Sequence, residues 1–211
     1  MRLIYQRKKI ICMVIALVVA IFVTGILIEK KVLFVEAKIE SIQKRMAKEV
    51  LRFHVLANSD SKADQTLKMQ VKERVLQYMK EELPQSDSAK TTKTWANSHL
   101  KDIEEIAKET IRKQGYHYEV HAEVTTCYFP EKKYGDVTFP KGDYEALRIE
   151  IGEAKGQNWW CVLYPNLCFT DAVHAVVPRE GKKELKSVLD EEEYEMVTAT
   201  SRFKIKWFFF R

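Results

Sequence analysis

The feature that most constrains this chain is an uncharged apolar run over residues 10–28, close to the N-terminus. As an α-helix, the run is roughly 28 Å long at about 1.5 Å per residue. That length matches the roughly 30 Å hydrocarbon thickness of a bilayer. Arg2, Arg7, Lys8 and Lys9 precede the run. A basic cluster followed by an apolar helix is typical of an export signal or a membrane anchor, not of a helix buried in a soluble domain.

The sequence leaves two fates open for this helix. No A-x-A site closes the run, and the small residues of Val35-Glu36-Ala37 lie well beyond it. The run is also long for a cleaved signal peptide, so a retained anchor is favoured. The preceding basic residues predict a cytoplasmic N-terminus, with the domain from about residue 38 onward on the other side of the membrane. Lys30, Lys31 and Lys38 weaken that charge asymmetry.

The charge balance argues against a nucleic-acid partner. The chain has 35 Lys and Arg residues, 30 Asp and Glu residues and a net charge of +5. The basic cluster before the apolar run supplies nearly all of that excess. A nucleic-acid-binding domain concentrates its positive charge on a folded surface. We therefore expect no nucleic-acid partner.

Hydrophobic periodicity predicts helices first and strands afterwards. Alternation over residues 51–56 predicts a strand, and a four-residue repeat predicts a helix over residues 62–83 that Pro84 ends. A second helix is predicted from about Ser86 or Asp87 to Gly115. Further strands are predicted at residues 116–124, 147–151, 159–163, 167–170 and 203–209, with a loop or long hairpin connection at 129–142 and a short helix at 181–189.

This order predicts an α+β fold, with two N-terminal helices packed on a largely antiparallel sheet and one transmembrane or signal helix before them. The predicted organisation has five parts. They are a basic cytoplasmic segment (1–9), a transmembrane helix or uncleaved signal (10–28), a stalk (29–49), an exported α+β domain (50–178), and a charged linker with a C-terminal strand (179–211).

The cysteines allow one short disulfide. A loop over residues 163–166 places Cys161 opposite Cys168 on paired strands, with Cα atoms about 4.5–5.5 Å apart, which is within disulfide range. Disulfides persist outside the cytoplasm. The alternative is two reduced thiols packed as small apolar groups. Cys127 is an odd thiol that competes for either partner.

The histidines do not predict a metal site. His117 and His121 flank Glu119 in a way that resembles a zinc motif. The metalloprotease motif, however, needs a helix, with the glutamate directly after the first histidine. On a strand the two histidines lie roughly 13 Å apart. We expect neither a metal nor another cofactor, and the chain has no phosphate-binding glycine loop.

Polar side chains crowd the junction between the first strand and the next helix: His54, Asn58, Ser59, Asp60 and Asp64. A turn with a helix cap explains the Asn, Ser and Asp residues by itself. A partner-recognition patch is the second interpretation. Catalysis or metal binding is the third, but a G-x-S-x-G elbow and the EF-hand spacing are both missing.

Residues 157–171 combine four aromatic residues with the two cysteines of the predicted disulfide. On a strand, Trp159 and Trp160 face opposite sides. One of them therefore belongs to the core, and the other is exposed or covered by another element. An exposed tryptophan is a candidate interface hot spot.

Three stretches together resemble one family, stage II sporulation protein R: LRFHVLANSDSKADQTLKMQVKERV, TTCYFPEKKYGDVTFPKGDYEALRIEIGE and QNWWCVLYPNLCFTD. The resemblance covers about residues 51–178. It implies a signalling protein, not an enzyme, that is exported from the forespore into the intermembrane space. There it activates a membrane-embedded aspartyl protease of the mother cell, which matures a sigma factor precursor. The candidate contacts with the protease are His54, Asn58, Asp60, Tyr128, Trp160 and Tyr164.

Two other functional classes compete with this interpretation. One is an exported hydrolase that acts on peptide or cell-wall material through the region from His54 to Asp60. The other is a wall- or lipid-binding module that uses the aromatic residues of the C-terminal stretch, RFKIKWFFFR.

Overall fold

The computed structural model describes residues 2–84, 88–168, 177 and 179–198. Residue contacts divide the chain into two compact units, one up to Ser41 and the other beginning at Ile42. The first unit is helical. The second contains the sheet and the remaining helices.

The first helix, α1, runs without interruption from Arg2 to Glu49. By length and composition it is the one helix within the described ranges that can cross a membrane, and its most apolar window has a mean hydropathy of 3.1. The apolar side chains between Ile11 and Ile28 are exposed. An exposed apolar surface of this size fits a lipid environment better than water. This is the helix predicted as a transmembrane or signal helix.

Among the described residues, α1 is followed by one strand, three helices, five strands and two further helices. The elements are β1 (Leu51–Leu56), α2 (Lys62–Glu82), α3 (Ala89–Ser98), α4 (Leu100–Lys113), β2 (Val120–Phe129), β3 (Lys132–Tyr134), β4 (Val137–Phe139), β5 (Gly142–Ile151), β6 (Asn158–Tyr164), α5 (Arg179–Val188) and α6 (Glu191–Thr198).

The main sheet has four strands in the order β2-β5-β1-β6, and β3 pairs with β4 in a separate hairpin. β1 is parallel to β5 and antiparallel to β6, and β2 is antiparallel to β5. The predicted α+β class with a largely antiparallel sheet is therefore confirmed. β1 lies inside the sheet, so both of its edges are hydrogen-bonded.

Helices α2, α3 and α4 cover one face of the sheet. Phe53 and Val55 of β1 pack there with Leu147 and Ile149 of β5, against the apolar side of the helices. The helical side of this core comprises Leu67, Val71, Val75, Met79, Trp95, Ile103, Ala107 and Ile111. Burial of apolar area at about 25 cal/mol per Å² makes this core the main stabilising contribution of the unit.

The second face of the sheet is also covered. The end of α1 contributes Met46 and Val50, and the β3–β4 hairpin contributes Tyr134, Val137 and Phe139. Helices α5 and α6 complete this core with Leu185, Leu189 and Val197. All six residues of β1 are consequently buried. The sequence predicted two N-terminal helices packed on the sheet, and it did not predict how the second face is covered.

Several predicted boundaries differ from the structure. The second helix is two helices, because it breaks at His99. There the Ser98 hydroxyl and the His99 ring both hydrogen-bond to the carbonyl of Trp95, and such side-chain bonds compete with helical ones. β2 begins at Val120 instead of Tyr116. It continues to Phe129, because the residue before a proline favours extended backbone.

Other predicted elements are replaced or lie outside the described residues. The loop at 129–142 contains the β3–β4 hairpin. The predicted return strand at 167–170 is not a strand at Leu167 and Cys168, and its last two residues are outside the described ranges. The predicted helix start at Ser86 or Asp87 and the predicted strand at 203–209 also lie outside the described residues. The short helix predicted at 181–189 is observed as α5.

The C-terminal end of the predicted stalk belongs to the folded unit. Ile42 and Met46 are fully buried, and Arg45 forms ion pairs with Asp190 and Glu192 near α6, with nitrogen–oxygen distances of 3.1 and 3.0 Å. The last two turns of α1 therefore help to cover the second face of the sheet.

We predict that Met46→Ala lowers the free energy of unfolding of the domain by about 2–5 kcal/mol, the usual cost of truncating a buried side chain. Urea unfolding followed by tryptophan fluorescence measures this loss. Lys48→Ala, an exposed position on the same turn, is the matched control and should change stability little. Equal effects of the two substitutions would contradict the burial of this segment.

Candidate functional site

The junction between β1 and α2 is organised around the carboxylate of Asp64. Ser61 is the N-cap of α2, and its hydroxyl accepts the Asp64 N–H at 3.1 Å. The Asp64 carboxylate accepts hydrogen bonds from the Asn58 amide at 2.9 Å and from the Ser59 hydroxyl. Desolvation acts to raise the pKa of Asp64, but these hydrogen bonds outweigh it and hold the pKa below its ordinary value. Asp64 is therefore an ionised structural centre.

The same junction is hydrogen-bonded to the turn between β5 and β6. The Glu153 N–H donates to Asn58 Oδ1 at 3.0 Å, and the Gln157 N–H donates to Asp60 Oδ1 at 2.6 Å. Gly152 has a φ of +58° and lies so close that a Cβ atom there would be 2.3 Å from Asn58 Oδ1. Asn58 and Asp60 therefore support the fold directly. Asn58 is half-buried, whereas Asp60 is exposed.

His54 lies inside the second core, not at the surface. Its ring stacks on Trp160 with centroids 4.9 Å apart, and the side chain is only 3% exposed. Burial, helped by the nearby charges of Arg148 and Arg52, lowers the pKa of His54 to about 3. The imidazole is therefore neutral at physiological pH. His54 is buried in this structure, and its contact with a partner stays a prediction.

The geometry does not assemble the Ser–His–Asp arrangement considered from the sequence. The Ser59 hydroxyl donates to Asp64, while Nε2 of His54 lies 3.4 Å from the Sγ atom of Cys127. Burial also raises the pKa of Cys127. A nucleophilic cysteine needs a lowered pKa, so this pair consists of a neutral thiol and a neutral imidazole.

Arg52 is the central buried residue that the sequence analysis missed. Its side chain is fully buried, Nε donates to the carbonyl of Cys161 at 3.0 Å, and Nη2 donates to the Tyr134 hydroxyl at 2.9 Å. Four aromatic rings surround the guanidinium with centroids 4.4–5.8 Å away: Phe129, Tyr134, Phe139 and Tyr144. Alternation places Arg52 on one face of the first strand with His54 and Leu56, and no local signal marks that face as covered.

The predicted aromatic contacts differ in exposure. Tyr128 is 57% exposed, whereas Tyr164 is 7% exposed and packs in the first core. The two tryptophans do face opposite sides: Trp159 packs edge-on against Phe53, and Trp160 stacks on His54. Both are half-buried, so neighbouring elements partly cover each of them. The predicted partner contact of Tyr164 stays a prediction, for a side chain that is buried in this structure.

The six predicted contact residues do not form one patch. Asn58 and Asp60 follow the C-terminal end of β1, whereas Tyr164 pairs with Leu51 at its N-terminal end. Tyr128 pairs with Asp143 at the start of β5, which runs parallel to β1, so Tyr128 also lies at that N-terminal end. Asp60 and Tyr128 are the exposed members of the set, and they lie at opposite ends of the sheet.

The structure joins Cys161 to Cys168 in a disulfide with Cα atoms 5.7 Å apart. Cys127 is a free, half-buried cysteine. Within the described ranges, no cluster of three His, Cys, Asp or Glu side chains has the arrangement to hold a metal ion. His121 instead lies 3.5 Å from Glu104.

Comparisons with known proteins identify what the chain is similar to. A family model described as stage II sporulation protein R matches residues 47–174. A curated relative, the stage II sporulation protein R of Bacillus subtilis (strain 168), is 33% identical over 178 residues, which cover 75% of this chain and 80% of that relative. No solved structure matches the chain.

We predict that the buried neutral His54 makes the domain less stable in acid. Because the pKa of His54 is about 3 in the folded state and about 6.5 when unfolded, the unfolded chain takes up a proton first as the pH falls. The stability that neutral His54 supports is present above pH 6.5 and declines toward pH 3, by at most about 1.4 kcal/mol per pH unit. Urea unfolding at a series of pH values measures this slope.

His54→Gln should flatten the slope between pH 6.5 and 4.5, because the side chain no longer titrates. His117→Gln changes an exposed histidine and serves as the control that should keep the slope. An unchanged slope in the His54 variant would show that another group controls the acid sensitivity.

Proposed function

Because this chain belongs to the stage II sporulation protein R family, we propose that it carries a signal between the two compartments of a sporulating cell. In this proposal the forespore exports it into the intermembrane space. There it activates a membrane-embedded aspartyl protease of the mother cell, and the protease matures a sigma factor precursor. The observation that carries the proposal is the match to the curated relative over three quarters of the chain. Family membership itself supports the role in sporulation.

The N-terminal helix supports the export step. It is long and apolar enough to cross a membrane, and basic residues precede its apolar run. A messenger with its receptor on the other side of a bilayer needs such a segment, as an anchor or as an export signal. Retention as an anchor and release by cleavage are both compatible with the proposal.

The chain acts as a ligand in this mechanism. A ligand shifts its receptor toward an active state only if it binds that state more tightly, and about 3 kcal/mol of preference shifts the equilibrium roughly a hundredfold. The accessible members of the predicted set, Asp60, Tyr128 and the half-buried Trp160, are the proposed contacts. We expect His54, Asn58 and Tyr164 to support the shape of the domain instead.

Export is tested in a host strain that lacks its own copy of the gene. The full chain should restore maturation of the sigma factor precursor. A variant without residues 2–28 should accumulate in the forespore cytoplasm and restore none, because it does not reach the receptor. The matched control joins the same truncated chain to an unrelated export signal, which should restore maturation. Full maturation with the unexported variant would contradict the proposed function.

The contact surface is tested in the same strain with Asp60→Asn. This substitution removes the charge but keeps the oxygen that accepts the Gln157 N–H. We expect a several-fold loss of precursor maturation at an unchanged level of folded protein. Glu73→Gln removes a charge at an exposed position on α2 that is not among the proposed contacts, and it should be silent. A loss of maturation with Glu73→Gln but not with Asp60→Asn would contradict the assignment of Asp60 as a receptor contact.

A further inference from the structure

Strand β2 is an edge of the main sheet and extends over ten residues, Val120–Phe129. It pairs with β5 along its whole length. Among the described residues, no strand pairs with its other edge. A strand of this length with a free edge presents a row of backbone N–H and C=O groups that another extended chain can bind.

Two hydrogen bonds show which residues of β2 point outward. The Glu119 carbonyl accepts the Gly152 N–H at 2.8 Å, so Glu119 faces β5. The Ala122 N–H donates instead to Oε1 of Glu104 on α4, also at 2.8 Å. Because alternate residues of an antiparallel strand direct their backbone groups to the same side, the groups of Val124, Thr126 and Tyr128 face the free edge.

The length of β2 that is available to another strand is limited at both ends. At one end the N–H of Ala122 is already bonded to Glu104. At the other end Pro130 follows the strand and has no N–H. Between these limits, Glu123 is followed by the sequence VTTCYF, which has no charge, proline or glycine and is rich in β-branched and aromatic residues. Natural edge strands are usually protected by lysine, proline or a bulge, and this stretch contains none of them.

We propose that the free edge of β2 binds the same edge of a second copy of this chain, which joins the two sheets in an antiparallel, two-fold dimer. The midpoint between Ala122 and Pro130 is Thr126, so the symmetric register places Thr126 opposite Thr126 of the partner subunit. Val124 then faces Tyr128 of the partner subunit, a β-branched and aromatic pair of the kind that stabilises antiparallel strands. Isologous two-fold pairing is the commonest arrangement of homo-oligomers.

The charge pattern of the strand is compatible with a second copy as the occupant. In this register the uncharged stretch of one subunit meets the uncharged stretch of the other. Beyond it, the exposed His121 approaches the exposed Glu131 of the partner subunit, and Glu123 faces the uncharged Phe129 of the partner subunit. No like charges oppose each other at these positions. The dimer does not depend on the proposed signalling function.

The test introduces cysteines into the full chain in membranes, in a background in which Cys12 and Cys127 are serine. Thr126→Cys should form disulfide-linked dimers on mild oxidation, because directly opposed Cα atoms are about 5.5 Å apart, within disulfide range. Thr66→Cys, an exposed threonine on α2, is the matched control and should stay monomeric on a non-reducing gel.

The register has its own test. Val124→Cys and Tyr128→Cys should each cross-link weakly alone but strongly when the two singly substituted chains are mixed, because only the mixture places two cysteines opposite each other. Light scattering of the unmodified chain in detergent should give twice the monomer mass at high concentration. A monomer mass at every concentration, Thr126→Cys dimers no more abundant than those of Thr66→Cys, or Thr126→Cys cross-links only to another protein would each overturn the proposal.

Discussion

The structure depends on a charged side chain that is held inside an aromatic core. Removing an ion from water costs several kcal/mol, and Arg52 is fully buried in the central strand. Its Nε and Nη2 atoms have hydrogen-bond acceptors, and desolvated contacts between a cation and an aromatic ring contribute up to about 2 kcal/mol each. Desolvation lowers the pKa of Arg52, and Tyr134 and Tyr144 oppose that shift. The guanidinium stays inside because this aromatic shell stays in place.

That constraint explains why the sheet has two covered faces. Tyr134 and Phe139 of the β3–β4 hairpin reach Arg52 from outside the sheet, while Phe129 and Tyr144 reach it from β2 and β5. The aromatic shell therefore connects the hairpin to the main sheet. The end of α1 and helices α5 and α6 pack over the same core. His54, which is next on the same face of β1, becomes an interior residue for the same reason.

Local pattern predicted the elements whose stability is local. The four-residue repeat from Leu67 to Met79 and the alternation around Ile149 correspond to observed elements, and α2 begins with a capped turn, as the polar residues of the junction indicated. The surroundings of β1 did not follow from pattern. Arg52 and His54 share a face of this strand, and nothing local indicated that residues far away in the chain cover that face. The break at His99 was missed because it depends on side-chain hydrogen bonds to a single carbonyl.

In the candidate site, too, local pattern predicted some contacts and missed those that join distant parts of the chain. Turn and cap chemistry predicted the role of Asn58, Ser59 and Asp64 in the helix start. The hydrogen bonds of Asn58 to Glu153 and of Asp60 to Gln157 did not follow from it, because they join residues 95 and 97 positions apart. Tyr128 and Tyr164 lie on the two edge strands of the sheet, so strand position does not explain why Tyr128 is exposed and Tyr164 is buried. Tyr164 is buried because it packs in the first core. Such cover joins residues far apart in the chain, and no short stretch of sequence encodes it.

The sheet also separates the two kinds of cysteine. Cys168 packs with the first core and Cys127 with the second, so a full layer of backbone lies between the disulfide and the free thiol of the sheet-containing unit. Exchange of a disulfide requires a thiolate to reach one of its sulfur atoms. Once this unit is folded, its own architecture therefore keeps Cys127 from rearranging the bridge. Exchange between these cysteines has to occur before the strands assemble, so the order of folding and oxidation decides the pairing.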